Sequence, residues 1–133
     1  MKKLSVIIII TTIGLLISAF KNNSSSGEIE NINSISEIEI PEDVKEILDN
    51  SCWGCHNSES SNSKAKLKLK FDELNDLKVS KQVSKLNKIV KELDKGDMPP
   101  EKALNKYPDM ALTPEAKAAV IEWAKATSNE LTK

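Results

Sequence analysis

The sequence predicts an all-α domain, a small set of short helices over residues 41–133, preceded by a linker and an apolar N-terminal run. Three observations carry that reading. Apolar residues recur at helical spacing in three separate stretches, each with a recognisable start or stop. Nothing suggests a sheet larger than a ribbon. The chain has 133 residues, 39% hydrophobic and only 4% aromatic, enough for one domain with a thin core. Such a domain is either a minimal helical fold or one whose centre is filled by something other than protein.

The charges exclude one class of partner. Nineteen basic side chains face 20 acidic ones, a net −1, without the basic excess that nucleic acid would require. Every basic residue is lysine, so no guanidinium is available to clamp a carboxylate or phosphate.

Residues 1–20 read as a signal peptide or an N-terminal membrane anchor. Lys2 and Lys3 precede an uncharged run from Leu4 to Phe20 that ends in the small residues Ser18 and Ala19, the layout of a secretory leader. The run sits at the lower edge of the roughly 17–25 residues that span a bilayer. Cleavage after Ala19 gives a free exported protein; retention gives an anchored one, with the membrane touched only through this segment. Residues 21–40 follow as a flexible linker, opening with Asn22-Asn23-Ser24-Ser25-Ser26-Gly27.

The first helix starts at Pro41 with Glu42 and Asp43 in its first turn. Val44, Ile47, Leu48 and Cys52 lie along one face. Lys64 to Phe71 alternates lysine with apolar residues and predicts a short extended segment with one dry face. Lys64, Lys66, Lys68 and Lys70 would then form a row opposite Leu67, Leu69 and Phe71. Phe71 to Leu74 is a candidate short helix. The second long helix runs from Val79 to Leu93, with Val79, Val83, Leu86, Val90 and Leu93 in one stripe and Gly96 as its stop. The last begins at Thr113 as N-cap, with Pro114 and Glu115 behind it and Ala116, Ala119, Val120 and Trp123 inward.

The chemistry is concentrated in five residues, Cys52-Trp53-Gly54-Cys55-His56. This is C-x-x-C-H, the attachment sequence of c-type haem. Two thiols three residues apart reach the same side of one helical turn, where each can join one haem vinyl group. His56 lies four residues after Cys52 and can place an imidazole nitrogen on the iron. Both cysteines and the one histidine of the chain sit here. Three other readings stand beside it. A structural zinc site needs four ligands, so a carboxylate would have to be the fourth. A thioredoxin-like redox pair needs a βαβ setting. A plain Cys52–Cys55 disulfide would close a very tight loop.

A sixth iron ligand is sought among the methionines beyond the leader, Met98 and Met110. Methionine is by default core filler. Met98, however, follows the Gly96 stop and precedes Pro99-Pro100, which bars it from helical geometry. A thioether on a stiff, non-helical loop suits an axial ligand, and His/Met ligation raises the reduction potential above that of bis-His. Met110 and an open sixth position remain the alternatives.

Met98-Pro99-Pro100 after a Gly-ended helix, followed by Leu112-Thr113-Pro114-Glu115 and Trp123-Ala124, resembles the small haem-binding domain family of bacterial monohaem c-type cytochromes. The resemblance covers about Val44 to Ala126; a weaker one extends to class I cytochromes c. It implies a cytochrome c-like helical cup around one covalent haem c. Cys52 and Cys55 would carry the thioethers, His56 would be the proximal iron ligand and Met98 the distal one. One departure is Tyr107, where the family often has a histidine before the Pro-Asp that here is Pro108-Asp109. The expected walls are Leu48, Leu67, Leu69, Phe71, Leu86, Val90, Val120 and Trp123, with Trp53 pointing away.

The functional expectation is an exported, periplasmic monohaem cytochrome that carries one electron and is not an enzyme. A distal His or an Arg to assist O–O cleavage is missing from the sequence. Its partner would be a redox protein, with an acidic surface if the lysine row steers docking. The alternatives are a haem-based ligand sensor, a module feeding electrons into a larger oxidoreductase, and a thiol–disulfide oxidoreductase.

Overall fold

The computed structural model describes residues 37–133, and all regular structure among them is helical. The signal or anchor segment 1–20 and the linker up to residue 36 lie outside the described residues. Among the described residues no helix is long and apolar enough to cross a membrane.

Helix α1 (Glu42–Leu48) begins on Pro41, whose carbonyl accepts from the Lys45 amide at 2.8 Å. Its inward residues are Val44 and Leu48. Beyond Leu48 the coil widens into a π-helical turn, Asp49–Trp53, which carries Cys52. Such turns recur at functional sites.

The stretch expected to be extended is partly helical. Helix α2 (Ser63–Lys68) is capped by Asn62, whose side chain accepts from the Ala65 amide at 3.1 Å. The cap satisfies a first-turn amide and commits the chain to a helix despite the alternating pattern. Residues two apart on a helix point in nearly opposite directions, so the lysine row does not form. Lys66 donates to the Ser58 carbonyl and Lys70 pairs with Glu73. Leu67 is turned out, 82% exposed. Only from Leu69 is the backbone extended. Phe71 to Leu77 is a run of turns rather than a short helix.

Helix α3 (Val79–Lys95) starts where expected and runs two residues beyond Leu93 to the Gly96 stop, with a shifted inner face. Gln82, Leu86, Ile89 and Leu93 are buried, while Val79 is exposed. Gln82 is accepted inside because its amide donates to the carbonyls of Leu74 and Asn75 at 3.3 and 3.4 Å. Gly96 closes α3 in the left-handed region at φ 75°. Its amide reaches the Leu93 carbonyl and the Asp97 amide reaches that of Glu92, each at 3.0 Å. These paired bonds are a Schellman stop.

A short helix α4 (Glu101–Leu104) and a 3-10 turn (Pro108–Met110) lead to helix α5 (Pro114–Glu130). Thr113 caps α5 as expected, accepting from the Ala116 amide at 3.1 Å. Helices α3 and α5 pack along each other, and α1 packs on α5. Between them lie Leu48, Leu86, Leu93, Val120 and Trp123. Each fully buried aliphatic side chain contributes about 1.5–3 kcal/mol.

The chain joins this core before residue 41. Ile38 is buried, its amide donating to the Asn75 side chain at 2.8 Å and its carbonyl accepting from the same side chain at 3.4 Å. Trp123 Nε1 donates to the Glu39 carbonyl at 3.0 Å. The last four residues of the expected linker, 37–40, are therefore part of the domain.

Candidate functional site

The site begins where α1 passes into its π turn. The amides of Cys55 and His56 both return to the Cys52 carbonyl, at 3.1 and 3.0 Å, wrapping the chain around Cys52. A strand-like crossing then holds the histidine. The Phe71 amide donates to the His56 carbonyl at 2.9 Å, and His56 Nδ1 lies 3.3 Å from the Leu69 carbonyl. A carbonyl can only accept, so Nδ1 carries the proton and Nε2 keeps its lone pair for a ligand. The loop after His56 is tied to the same crossing. Ser58 gives its amide and hydroxyl to the Asp72 carboxylate, holding that carboxyl below its ordinary range.

A cavity of about 370 Å³ opens beside this turn, within the size range of small-molecule sites. Cys52, His56 and Met98 face it, with apolar walls from Leu48, Leu69, Phe71, Ile89, Leu93 and Val120. A smaller cavity of about 40 Å³ adjoins it, lined by Cys52, Cys55, His56, Met98, Pro99 and Met110 among others. The structure thus brings together all four residues singled out in the sequence: Cys52, Cys55, His56 and Met98. Met98 faces both cavities, whereas Met110 faces only the smaller. The 3-10 turn bearing Met110 is held to the π turn by Asn50, whose amide donates to the Asp109 carbonyl at 2.9 Å.

The walls are partly those expected. Leu48, Leu69, Phe71 and Val120 line the larger cavity. Leu67 is on the surface, and Leu86 and Trp123 are core residues outside both cavities, as is the partly buried Val90 at the core's margin. Ile89 takes the place expected of Val90. Trp53 lines neither cavity but stacks on Phe71, ring centroids 5.6 Å apart and planes 13° apart, backing that wall. Phe71 also meets the His56 ring edge-on at 6.3 Å.

Both cysteines are free thiols. Burial, and then the neighbouring Cys55 thiol, push Cys52 up to about 11 from an ordinary 9.0. A thiol held so high is a poor exchange nucleophile, since thiol–disulfide enzymes lower that value. Among the described residues no three His, Cys, Asp or Glu side chains group to hold a metal ion, whereas a structural zinc site needs four ligands. Two thiols, an imidazole with a free Nε2 and a thioether around an apolar slot form a donor set that fits haem.

Two features of the site escaped the sequence. The Leu69 carbonyl that orients His56 leaves no trace in side-chain identity. The other is the set of lysines lining the larger cavity, Lys68 from α2 and Lys85, Lys88 and Lys91 from α3, which no local pattern brings together.

Residues 61–126 match the family model of a haem-binding domain. The match begins five residues beyond His56 and includes Met98. No curated protein and no solved structure matches the chain.

Proposed function

We propose that this protein is an exported monohaem c-type cytochrome that carries one electron, a reading that starts from the match of residues 61–126 to the model of a haem-binding domain. That match supports haem binding. The finer reading rests on one observation: Cys52, Cys55 and His56 from one turn meet Met98 from the loop after α3 around two adjoining cavities.

Each residue has a distinct task. Cys52 and Cys55 would hold the group through thioether links to its vinyl carbons. His56 would supply Nε2 to one face of the iron, its ring fixed through Nδ1 by the Leu69 carbonyl. Met98 would supply its sulfur from the loop closed by Gly96 and stiffened by Pro99 and Pro100. Bound haem would supply a one-electron iron couple. The chain's own part would be to keep His56 and Met98 in place and to exclude water with apolar walls. With both positions filled the site has no place for a substrate, so the proposal is a carrier and not an enzyme.

Export is part of the proposal. It is supported by the Lys2-Lys3 pair and the apolar run after it, and by the location of bacterial c-haem attachment outside the cytoplasmic membrane. An intact mass separates cleavage near Ala19 from a retained anchor.

The test is the visible spectrum of protein matured with the c-haem machinery. Low-spin six-coordinate bands and a weak far-red sulfur-to-iron band are expected, with haem retained through acid–acetone extraction. Met98→Ala should remove the far-red band, open the iron to carbon monoxide or cyanide, and lower the potential. Met110→Ala should do none of these. High-spin bands in the wild type would move the ligand sensor ahead. That second reading has one observation behind it, the 38% exposure of Met98.

A further inference from the structure

Four lysines, Lys68 from α2 and Lys85, Lys88 and Lys91 from α3, line the larger cavity. Gathering like charges is unfavourable unless something opposite comes between them. Among the described residues the salt bridges are Lys45–Asp49 and Lys70–Glu73, so none of the four is paired. Glu92 is the one carboxylate on that lining and bridges none of them. Lys85 is half-buried, and its amine reaches across to the Lys68 carbonyl. Burial, followed by the charges of Lys88, Lys81, Lys68 and Lys70, holds the Lys85 amine below its ordinary range.

The lysines line the larger cavity only. The smaller cavity, which holds both cysteines, has no lysine in its lining. Haem has the matching asymmetry: the pyrroles bearing its propionates lie opposite those bearing its vinyls. Thioether links at Cys52 and Cys55 therefore leave the carboxylate edge for the far end.

We propose that Lys68, Lys85, Lys88 and Lys91 form the anionic subsite of this pocket and bind the two haem propionates. The proposal rests on the haem reading above. In a chain without arginine, flexible lysine amines are the donors available to make charge-assisted hydrogen bonds to those carboxylates. The expected lysine row on Lys64 to Lys70 thus gives way to a cluster across two helices, facing the cavity rather than a partner.

The test uses matured, haem-loaded protein. Lys85→Gln and the pair Lys68→Gln/Lys88→Gln are compared with Lys125→Gln, an exposed lysine on α5 outside both cavities. Three quantities are read: the reduction potential, its pH dependence, and the propionate bending mode in resonance Raman. Both rim variants should shift the potential down and shift the propionate mode. They should also move the pH-dependent part of the potential to higher pH, because a carboxylate without its cation is the weaker acid. Lys125→Gln should leave all three at wild-type values. A lowered potential with unchanged mode and pH profile would overturn the proposal, reducing the lysines to distant charges. Unchanged values in all three, with a flattened salt dependence of electron transfer, would overturn it in favour of a docking surface for an acidic protein. Loss of haem from correctly matured wild type would instead sink the parent reading.

Discussion

Gly96→Ala probes how the loop bearing Met98 is launched. Gly96 has φ 75° and ψ 19°, in the left-handed region. A Cβ placed there meets no heavy atom within 4 Å, so the cost is confined to the backbone. That cost is about 1–2 kcal/mol for a residue with a Cβ. Alanine also restricts the unfolded chain, which offsets about 0.4–1 kcal/mol. The net loss is about 1 kcal/mol, a drop of about 4–8 °C in Tm for a domain of this size. Gly96→Asn should lose less, because asparagine visits this region more readily. Denaturant unfolding of haem-loaded protein, followed by circular dichroism at constant m, measures both. The far-red band should persist in each variant, since the amides of residues 96 and 97 can still close the stop. A stabilised Gly96→Ala would refute the reasoning, because α3 would then run on through residue 96. A loss above about 3 kcal/mol would refute the open space around the new Cβ.

Other perturbations reach different parts of the chain. Leu86→Ala, at a fully buried site outside both cavities, should cost about 2–5 kcal/mol in denaturant unfolding while leaving the visible spectrum unchanged. Asn75→Ala should cost about 1–3 kcal/mol and speed amide exchange at Ile38, which loses its partner. In haem-free protein, Cys52 at about 11 against 9.0 should alkylate about a hundredfold more slowly at pH 8 than in urea, read by mass spectrometry. The unfolded chain ionises this thiol first. Its contribution to apoprotein stability is therefore intact below pH 9 and is lost as pH rises from 9 towards 11.

Much of this was legible because it depends on local chemistry. Thr113-Pro114-Glu115 starts a helix wherever it stands, and Gly96 ends one for a backbone reason. Cys52, Cys55 and His56 are carried by one turn, so their grouping needs no knowledge of the rest of the fold. Met98 was legible at longer range because Gly96 and Pro99 bracket it. What failed depended on a competing or distant partner. Asn62 turned an alternating stretch into a helix. Gln82 occupies the core because two carbonyls of the preceding loop accept from it, and no periodicity of apolar residues reveals that. Ile38 looked like linker because its anchor, Asn75, is a polar residue far along the chain. The pairing of Lys68 with Lys85 across two helices is likewise a tertiary fact.

The π turn of Asp49–Trp53 has a consequence for how the sequence can vary. A π turn is an α-helix with one extra residue in the coil. Removing one residue and restoring regular winding would therefore leave the residues beyond it pointing nearly where they point now. Rewinding the same residues as α-helix, with none removed, would instead rotate everything beyond by about 100° relative to α1. Leu48 would still face the core, but Cys52, Cys55 and His56 would swing away from Met98 with their spacing intact. The C-x-x-C-H signature would read the same and point at the wrong wall. The phase of the motif is thus fixed by residue count and winding together, and a substitution in Asp49 to Ser51 that favoured α winding should do more harm than a one-residue deletion there.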